Sequence, residues 1–470
     1  MIWLGLAALT AMRLIVAGTT ELSPDEAYYW VWSRALAPGY LDHPPMVALW
    51  IRAGTALAGQ GAFGVRLLGP FSAALGSVLL ASAANDFFPE RRPGIMAASL
   101  LNATLLMGAG AVTMTPDTPL LFFWTAAMWA LARLLRTGDG WWWLVAGAAA
   151  GAALDSKYTA VLLGAGLALW LLADPGARSW LRQPWLWAGG AGAILLFAPV
   201  LAWNAAHGWA SFAKQGGRTG NWQPAQALQH LGELLGGQVG LATPLVFAAC
   251  AAGVWSASRA ALHHQSAAAL LTALTLPGVL VFAQHALGDR VQANWPAILY
   301  PAACIAAAAY PRRLNRPACI LGFSITALVY AQAEGAFALP RRFDPTLVRL
   351  GGWDGLVRDL GQVATGAAFV AADSYGLASI LARGLPVEVV GLEPRWSLFA
   401  LPPATATAPG LLIRSLRRGD LPNAAPWQSL TPLGILRRTR NGVVAEEYAI
   451  YRAVPRPGFS GGVSLPHPGD

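Results

Sequence analysis

Apolar runs of about 18 to 20 residues recur along the first 336 residues of the chain, separated by short polar gaps. That is the length at which a helix crosses the hydrocarbon core of a bilayer. Eleven spans can be placed, over about 2–18, 62–84, 94–113, 118–136, 141–154, 158–173, 185–203, 238–257, 266–284, 292–310 and 317–336, the fifth being short. The first run has no basic leading segment and no small-residue cleavage site, so it reads as a retained helix. Beyond residue 337 the pattern changes. Trp353, Leu356, Val357, Leu360 and Val363 recur at helical spacing, and "AAFVAAD" (367–373), "VEVVGL" (387–392) and "GLLIRS" (410–415) have the length and content of strands. Asn441-Gly442, between two more candidate strands, predicts a hairpin turn. The chain therefore reads as a polytopic α-helical membrane domain (1–336, with an external loop at 19–61), a small soluble α/β domain (337–455) and a flexible Pro- and Gly-rich tail (456–470).

Composition supports a chain that mostly avoids water. It is 56% hydrophobic and 12% charged, against roughly 25% charged in soluble domains. The net charge is +9, and Lys157 and Lys214 are the only lysines among 32 basic residues. The arginines form no stripe, so nucleic acid is not an expected partner. Many of them punctuate the gaps between apolar runs instead. With the N-terminus in the cytoplasm, the inner connections hold Arg91, Arg92, Arg133, Arg136, Arg178, Arg182, Arg259, Arg312, Arg313 and Arg316, the bias of the positive-inside rule. An odd number of spans then places the C-terminal domain outside. Cys250, Cys304 and Cys319 all lie in apolar runs and make neither a disulfide framework nor a clustered metal site.

The outer connections differ in kind. They contain "SPDEAYYWVWSRALAPGYLDHPP" (23–45), "TMTPDTP" (113–119), "DSKYT" (155–159), "WNAAHGWASFAKQGGRTGNW" (203–222) and "GDRVQANWP" (288–296). Acids, amides, His, Lys and aromatics alternate here, which is not the composition of plain connectors. Asp25-Glu26 has two compatible readings. With Ser23 and Pro24 it caps the helix that follows, and it also offers a carboxylate able to take a proton from an attacking hydroxyl. Asp42-His43-Pro44-Pro45 reads mainly as a loop-shaping element, with His43 a hydrogen-bond partner before a catalyst. The 21 tryptophans mostly read as interface belts; Trp203, Trp209 and Trp222 flank polar loop residues and are candidates for sugar or lipid contact. Tyr375 reads as core or interface.

The pattern DEAYYW…GY-x-DHPP closely resembles the first external loop of type-C glycosyltransferases that use lipid-linked sugars. These are the protein O-mannosyltransferases (family 39) and the bacterial aminoarabinose and galacturonic acid transferases of lipid A and core. "PDTPLLFFW" (116–124), "SKYTAVLL" (156–163), "PVLAWNAAHGWASF" (199–212), R-x-x-x-NWPA (290–297) and "DSYGLASIL" (373–381) resemble stretches of the bacterial branch, in order and across nearly the whole chain.

The resemblance implies a type-C fold and assigns roles. Asp25 would be the catalytic base, with Glu26, Asp42, His43 and Asp117 orienting the acceptor or the site. The donor's leaving phosphate needs a cation, and Lys157, Arg290, Arg218 and Arg66 are the candidates. Lys157 also reads as a snorkelling residue at a helix end and Arg290 as an interface anchor, whereas Arg66, within an apolar span, is the costly kind of charge that tends to be functional. Tyr28, Tyr158, Asn204, Trp209, Asn294 and Trp295 are candidates for sugar or lipid contact. Some relatives hold a divalent cation, Mg²⁺ or Mn²⁺, between such acidic motifs and others need none; Asp25, Glu26 and Asp117 are the candidate ligands.

The function implied is inverting transfer of a sugar from a polyprenyl-phosphate donor to a hydroxyl of an envelope glycolipid, glycan or protein, on the periplasmic face of the inner membrane. No cytoplasmic segment carries a glycine-rich nucleotide fingerprint, as expected of a lipid-linked donor rather than a nucleotide sugar. The alternative is a multi-pass transporter or flippase of lipid-linked glycans, against which stand the absence of a convincing internal repeat and the collection of polar groups in outer loops.

Overall fold

The structure is a computed structural model and describes residues 2–216, 222–310, 313–459 and 461–470. They form two compact units: Met1–Arg13, Pro38–Val47 and Leu68–Ala327 in one, and Leu14–Ala37, Ala48–Leu67 and Leu328–Asp470 in the other. Chain order predicts a single boundary near 336; the units cut the chain instead so that most of the external loop is grouped with the C-terminal domain.

The first unit is helical. The helix Asp117–Thr137 packs between Leu68–Phe87 and Trp142–Leu154, and the latter packs in turn on Pro184–Ala206. That last contact needs glycine. A Cβ on Gly147 would lie 2.1 Å from the Gly189 carbonyl oxygen, and one on Gly189 would lie 2.2 Å from that of Trp143. Small residues allow such backbone approach where lipid supplies no hydrophobic drive between helices.

Four helices are long and apolar enough to cross a membrane, and up to seven spans result if each of three bent helix pairs counts as one. Eleven continuous spans are not seen among the described residues, and the breaks have local causes. The run expected at 94–113 is two helices, Gly94–Asn102 and Leu105–Val112, bent by 70°. Thr104 stops the first and caps the second, its hydroxyl accepting the Met107 N–H at 3.1 Å. The span expected from 238 starts at Pro244, because Thr243 precedes a proline and sits at φ 66°, ψ 144°. The chain turns there by 106° out of a preceding helix, Pro224–Ala242. The external loop also holds regular structure, the helices Pro24–Arg34 and Met46–Ala58.

The second unit contains a six-stranded sheet: β1 (Phe369–Ala372), β2 (Glu388–Gly391), β3 (Gly410–Ser415), β4 (Trp427–Arg440), β5 (Val443–Pro455) and β6 (Val463–Ser464), in the order β4-β5-β3-β1-β2-β6. The central β1 is buried along its length and pairs in parallel with β2 and β3. The helix Tyr375–Gly384, which joins β1 to β2, packs on Pro24–Arg34. Asn441 and Gly442 both have positive φ, 53° and 76°, the geometry of a two-residue turn matched to strand twist. The predicted tail is corrected here. β6 adds antiparallel to β2, with the Leu465 N–H donating to the Val389 carbonyl at 2.9 Å and Leu465 itself buried. A short apolar segment beside an open edge strand pairs with it rather than staying loose.

Candidate active site

The candidate residues fall into two groups, one in each unit.

In the helical unit the group is built around Asp117, in the first turn of its helix, where the positive end of the peptide dipoles favours a carboxylate. One oxygen accepts from the Lys157 ammonium at 2.7 Å and the other from the Asn294 amide at 2.6 Å. Lys157 occupies an extended turn between Trp142–Leu154 and Tyr158–Ala160, and it is only 6% exposed. It is therefore not a snorkelling residue, since its charge is held inside. Asp117 is the one hydrogen-bond partner of the ammonium among the described residues, which leaves two ammonium donors for a further acceptor.

The Asp42-His43 turn belongs to the same unit. Asp42 pairs with Lys214, and its carbonyl accepts from the Gln215 side chain at 2.7 Å. Desolvation, reinforced by the Lys157 charge, lowers the His43 pKa to about 4 and keeps the imidazole neutral. Just before Lys157 lies an acid that sequence reasoning passed over. Asp155 accepts the Met46 N–H on its carbonyl at 2.9 Å, while its side-chain Oδ1 is buried with no hydrogen-bond partner among the described residues. Desolvation raises its pKa to about 7.

The aromatic candidates here behave variously. Tyr158 shares a 2.7 Å hydrogen bond with Ser211, and buried Asn204 donates to the Val200 carbonyl at 3.0 Å and to Tyr158 at 3.4 Å. Trp203 stacks on His207, and Gly39 lies against its indole, where a Cβ would come within 2.9 Å. Trp209 takes a positive φ of 59°, stacks on Phe212 and stays half exposed. Trp222 is exposed. Of the phosphate candidate Arg290 and the sugar-contact candidates Asn294 and Trp295, two lie away from Lys157. Arg290 is exposed and ion-paired with Glu233 at 2.9 Å, and Trp295 packs on the helical core with its ring edge to His285. Only Asn294 joins the Lys157 group. Arg218 lies outside the described residues.

In the second unit the two acids of the Asp25-Glu26 pair separate completely. Glu26 is fully buried and completes a capping box with Ser23, whose N–H donates to Glu26 Oε2 at 3.0 Å while its hydroxyl accepts the Glu26 N–H. The same carboxylate takes a two-pronged bond from Arg66, Nε to Oε1 at 2.6 Å and an Nη to Oε2 at 2.8 Å. Arg66 spends its other donors on Thr20 and on the carbonyls of Ala17, Thr20 and Glu21. Two expectations are corrected. Arg66 is not a phosphate ligand, because all five of its N–H groups are used and it is fully buried. Glu26 does not meet an acceptor, because it anchors the loop.

Asp25, one residue earlier, points the other way and is 42% exposed along its side chain. The Tyr375 hydroxyl donates to its Oδ1 at 3.0 Å, and the Arg349 guanidinium lies 3.9 Å from Oδ2. Tyr375 is itself held. Its N–H donates to Glu393 at 2.7 Å, and its ring lies 3.9 Å beneath the Arg395 guanidinium, which Glu393 also binds. Tyr28 is corrected from sugar contact to core. It is 1% exposed, with Tyr375, Trp32, Trp396 and Phe399 around it. Tyr375 and Arg349 were missed; the "DSYGLASIL" segment was the signal that pointed to the former.

A divalent cation finds no ready ligands. Glu26 is neutralised by Arg66, both oxygens of Asp117 are engaged, and no group of three His, Cys, Asp or Glu able to hold a metal exists among the described residues.

Comparison with known proteins bears on the fold and on the family resemblance. Residues 42–203 match the family model described as dolichyl-phosphate-mannose-protein mannosyltransferase. The chain is 30% identical over 290 residues to the lipid A galacturonosyltransferase RgtD of Rhizobium johnstonii, covering 61% of this chain and 60% of that relative's length. Among solved structures it is similar to ArnT from Cupriavidus metallidurans in the apo state (TM-score 0.64, 15% identity, 97% of this chain and 99% of that one). It is also similar to the same protein bound to undecaprenyl phosphate (TM-score 0.62, 16% identity, with the same coverage). The resemblance read from the ordered motifs is thereby borne out: this chain has the polytopic membrane fold of ArnT with a C-terminal sheet domain, and its residues 42–203 carry the mannosyltransferase family's signature.

Proposed function

We infer that the protein is a membrane glycosyltransferase that moves a sugar from a polyprenyl-phosphate donor to a hydroxyl of a lipid A-type envelope glycolipid. The named activity of the Rhizobium relative and the undecaprenyl phosphate in the ArnT structure support this reading. The observation that carries it is Lys157. A nearly buried ammonium balanced by one shared carboxylate, with donors left over, suits a phosphate that gains charge as its bond to the sugar breaks.

In the proposed step the acceptor oxygen attacks the anomeric carbon and inverts it. The acceptor proton passes to the Asp25 carboxylate. The bond between the anomeric carbon and the phosphate oxygen breaks, and the electron pair leaves with the polyprenyl phosphate, which Lys157 neutralises. Tyr375 holds Asp25 in position, and neutral His43 adds no competing positive charge beside Lys157. The membrane arrangement proposed with this is eleven crossings, counting broken spans and the shorter apolar helices as well, with the N-terminus in the cytoplasm and residues 340–470 on the periplasmic face of the inner membrane. Reporter fusions at Arg92 and Gly410 should then read cytoplasm and periplasm, respectively.

The test is transfer by purified protein. Polyprenyl phosphates carrying galacturonic acid, aminoarabinose or a neutral hexose are offered with a lipid A acceptor, and the acceptor's mass is followed. One donor should add one sugar and release polyprenyl phosphate. No transfer from any of them by protein shown to be folded would contradict the reading.

A further inference from the structure

We propose that the arginine-lined cleft of the helical unit binds the headgroup of an anionic phospholipid carrying a free hydroxyl, of the phosphatidylglycerol class. The cleft has a volume of about 470 Å³ and is lined by Arg91, Arg92, Arg313, Arg316, Asn315, Met96, Pro93 and Ala308. None of these residues belongs to either group of the candidate active site.

Four guanidinium groups around one cleft repel one another unless an anion joins them. Among the described residues no acid pairs with any of the four, so the balancing charge has to come from a ligand or from solvent ions. The geometry is prepared rather than loose. Arg91 donates to the Ala309 carbonyl at 2.9 Å, at the end of the helix Tyr300–Ala309, and its guanidinium lies 4.9 Å from the Tyr310 ring centre. Arg92 takes a left-handed backbone, φ 46°, in the turn where the Phe88 carbonyl accepts both the Arg91 and the Arg92 N–H. A non-glycine residue in that region is uncommon and held by its surroundings.

The second observation concerns Asn315, which is 2% exposed. Its amide nitrogen donates to the Ala307 carbonyl at 3.1 Å, while its Oδ1 is buried and has no partner among the described residues. A phosphodiester with no hydroxyl satisfies the arginines but offers this oxygen only a second acceptor. A headgroup with both a phosphodiester and a hydroxyl satisfies both. Met96, Pro93 and Ala308 add the apolar wall that glycerol and the first acyl carbons need. The cleft also lies between the ends of apolar helices on the arginine-rich side of the unit, where clustered cations recognise anionic lipid.

The test is lipid binding to full-length protein in uncharged detergent, read by native mass spectrometry and melting temperature. Short-chain phosphatidylglycerol should bind at one saturable site, with phosphatidylcholine and inorganic phosphate at least tenfold weaker. At about 1 kcal/mol per arginine, Arg313→Gln with Arg316→Gln should weaken phosphatidylglycerol about thirtyfold. The lipid-free melting temperature should not change, because both side chains are exposed. Asn315→Ala should weaken phosphatidylglycerol while leaving phosphatidylmethanol, a phosphodiester with no hydroxyl, unaffected. Equal binding of phosphatidylglycerol and phosphatidylcholine, or undiminished binding by the double arginine variant, would overturn the proposal. Inorganic phosphate binding as tightly as the lipid would do so as well, by making this a free-anion site.

Discussion

The Tyr375 hydroxyl donates a 3.0 Å hydrogen bond to Oδ1 of Asp25, joining residues 350 positions apart in the chain. The bond makes Tyr375 a positioning residue for the proposed base, and the ring that carries it packs against Tyr28 and lies under the Arg395 guanidinium. Tyr375→Phe keeps the ring and removes the bond. A hydrogen bond to a charged group contributes about 1.5–3 kcal/mol, so turnover should fall roughly ten- to a hundredfold, with donor affinity and melting temperature nearly unchanged. Turnover at the parent rate would leave Tyr375 a packing residue only.

Glu26 and Arg66 give the opposite signature. The pair is fully buried and two-pronged, and removing one partner strands the other. Breaking such a pair costs about 3–5 kcal/mol. Glu26→Gln and Arg66→Met should each lower the melting temperature sharply, and surviving folded protein should keep its donor affinity. A variant at either position that melts normally but loses donor binding would restore Arg66 as a phosphate ligand.

His43 and Asp155 set opposing pH dependences. In the unfolded chain His43 gains its proton near pH 6.5, but in the folded protein only near pH 4. Between those values the unfolded state binds more protons, so this group makes stability fall as pH drops from 6.5 to 4. Asp155 is shifted the other way, from 3.8 to about 7. The folded state binds more protons in that window, so its contribution is present below 3.8 and is lost as pH rises to 7. His43→Gln should flatten the acid-side loss of stability, and Asp155→Asn should raise the melting temperature at pH 8 relative to the parent. Melting curves from pH 4 to pH 8 check both signs.

Much of the fold was legible in the sequence because its signals are local. The hairpin at Asn441-Gly442, the helix Trp353–Val363 and the strands around 369, 388 and 410 follow from turn chemistry and period alone. Breaks inside apolar runs were not, because hydropathy averages over Thr104 and Thr243, whose capping and pre-proline geometry end the helices. The helix Met46–Ala58 was passed over because its 13 residues are too few to cross a bilayer, and Pro224–Ala242 because its Gln, His and Glu lower the average. For the site, residue types were legible but partners were not. The Asp25-Glu26 dipeptide gave no sign of which acid would be buried; that was decided by Arg66, 40 residues away. Tyr375 reads only as core or interface because its role depends on a contact made after folding.

Lys157 should act on the donor. Lys157→Ala removes the charge and leaves Asp117 with Asn294 alone, so the apparent affinity for the polyprenyl-phosphate sugar should fall about tenfold or more, in line with charge-assisted bonds of about 1.5–3 kcal/mol. Lys157→Arg should recover part of it, because charge matters more here than shape. Unchanged donor dependence in Lys157→Ala would move the phosphate role to Arg290.

The central claim is that Asp25 takes the acceptor proton, and turnover of Asp25→Asn in purified protein tests it most directly, measured beside donor binding and melting temperature. Asn keeps the shape and still accepts the Tyr375 hydroxyl, but it cannot take the proton. Turnover should fall by roughly 10² to 10⁴, while donor binding and stability hold. An Asp25→Asn protein that transfers sugar at the parent rate would contradict the account and reduce this exposed acid to part of a helix cap.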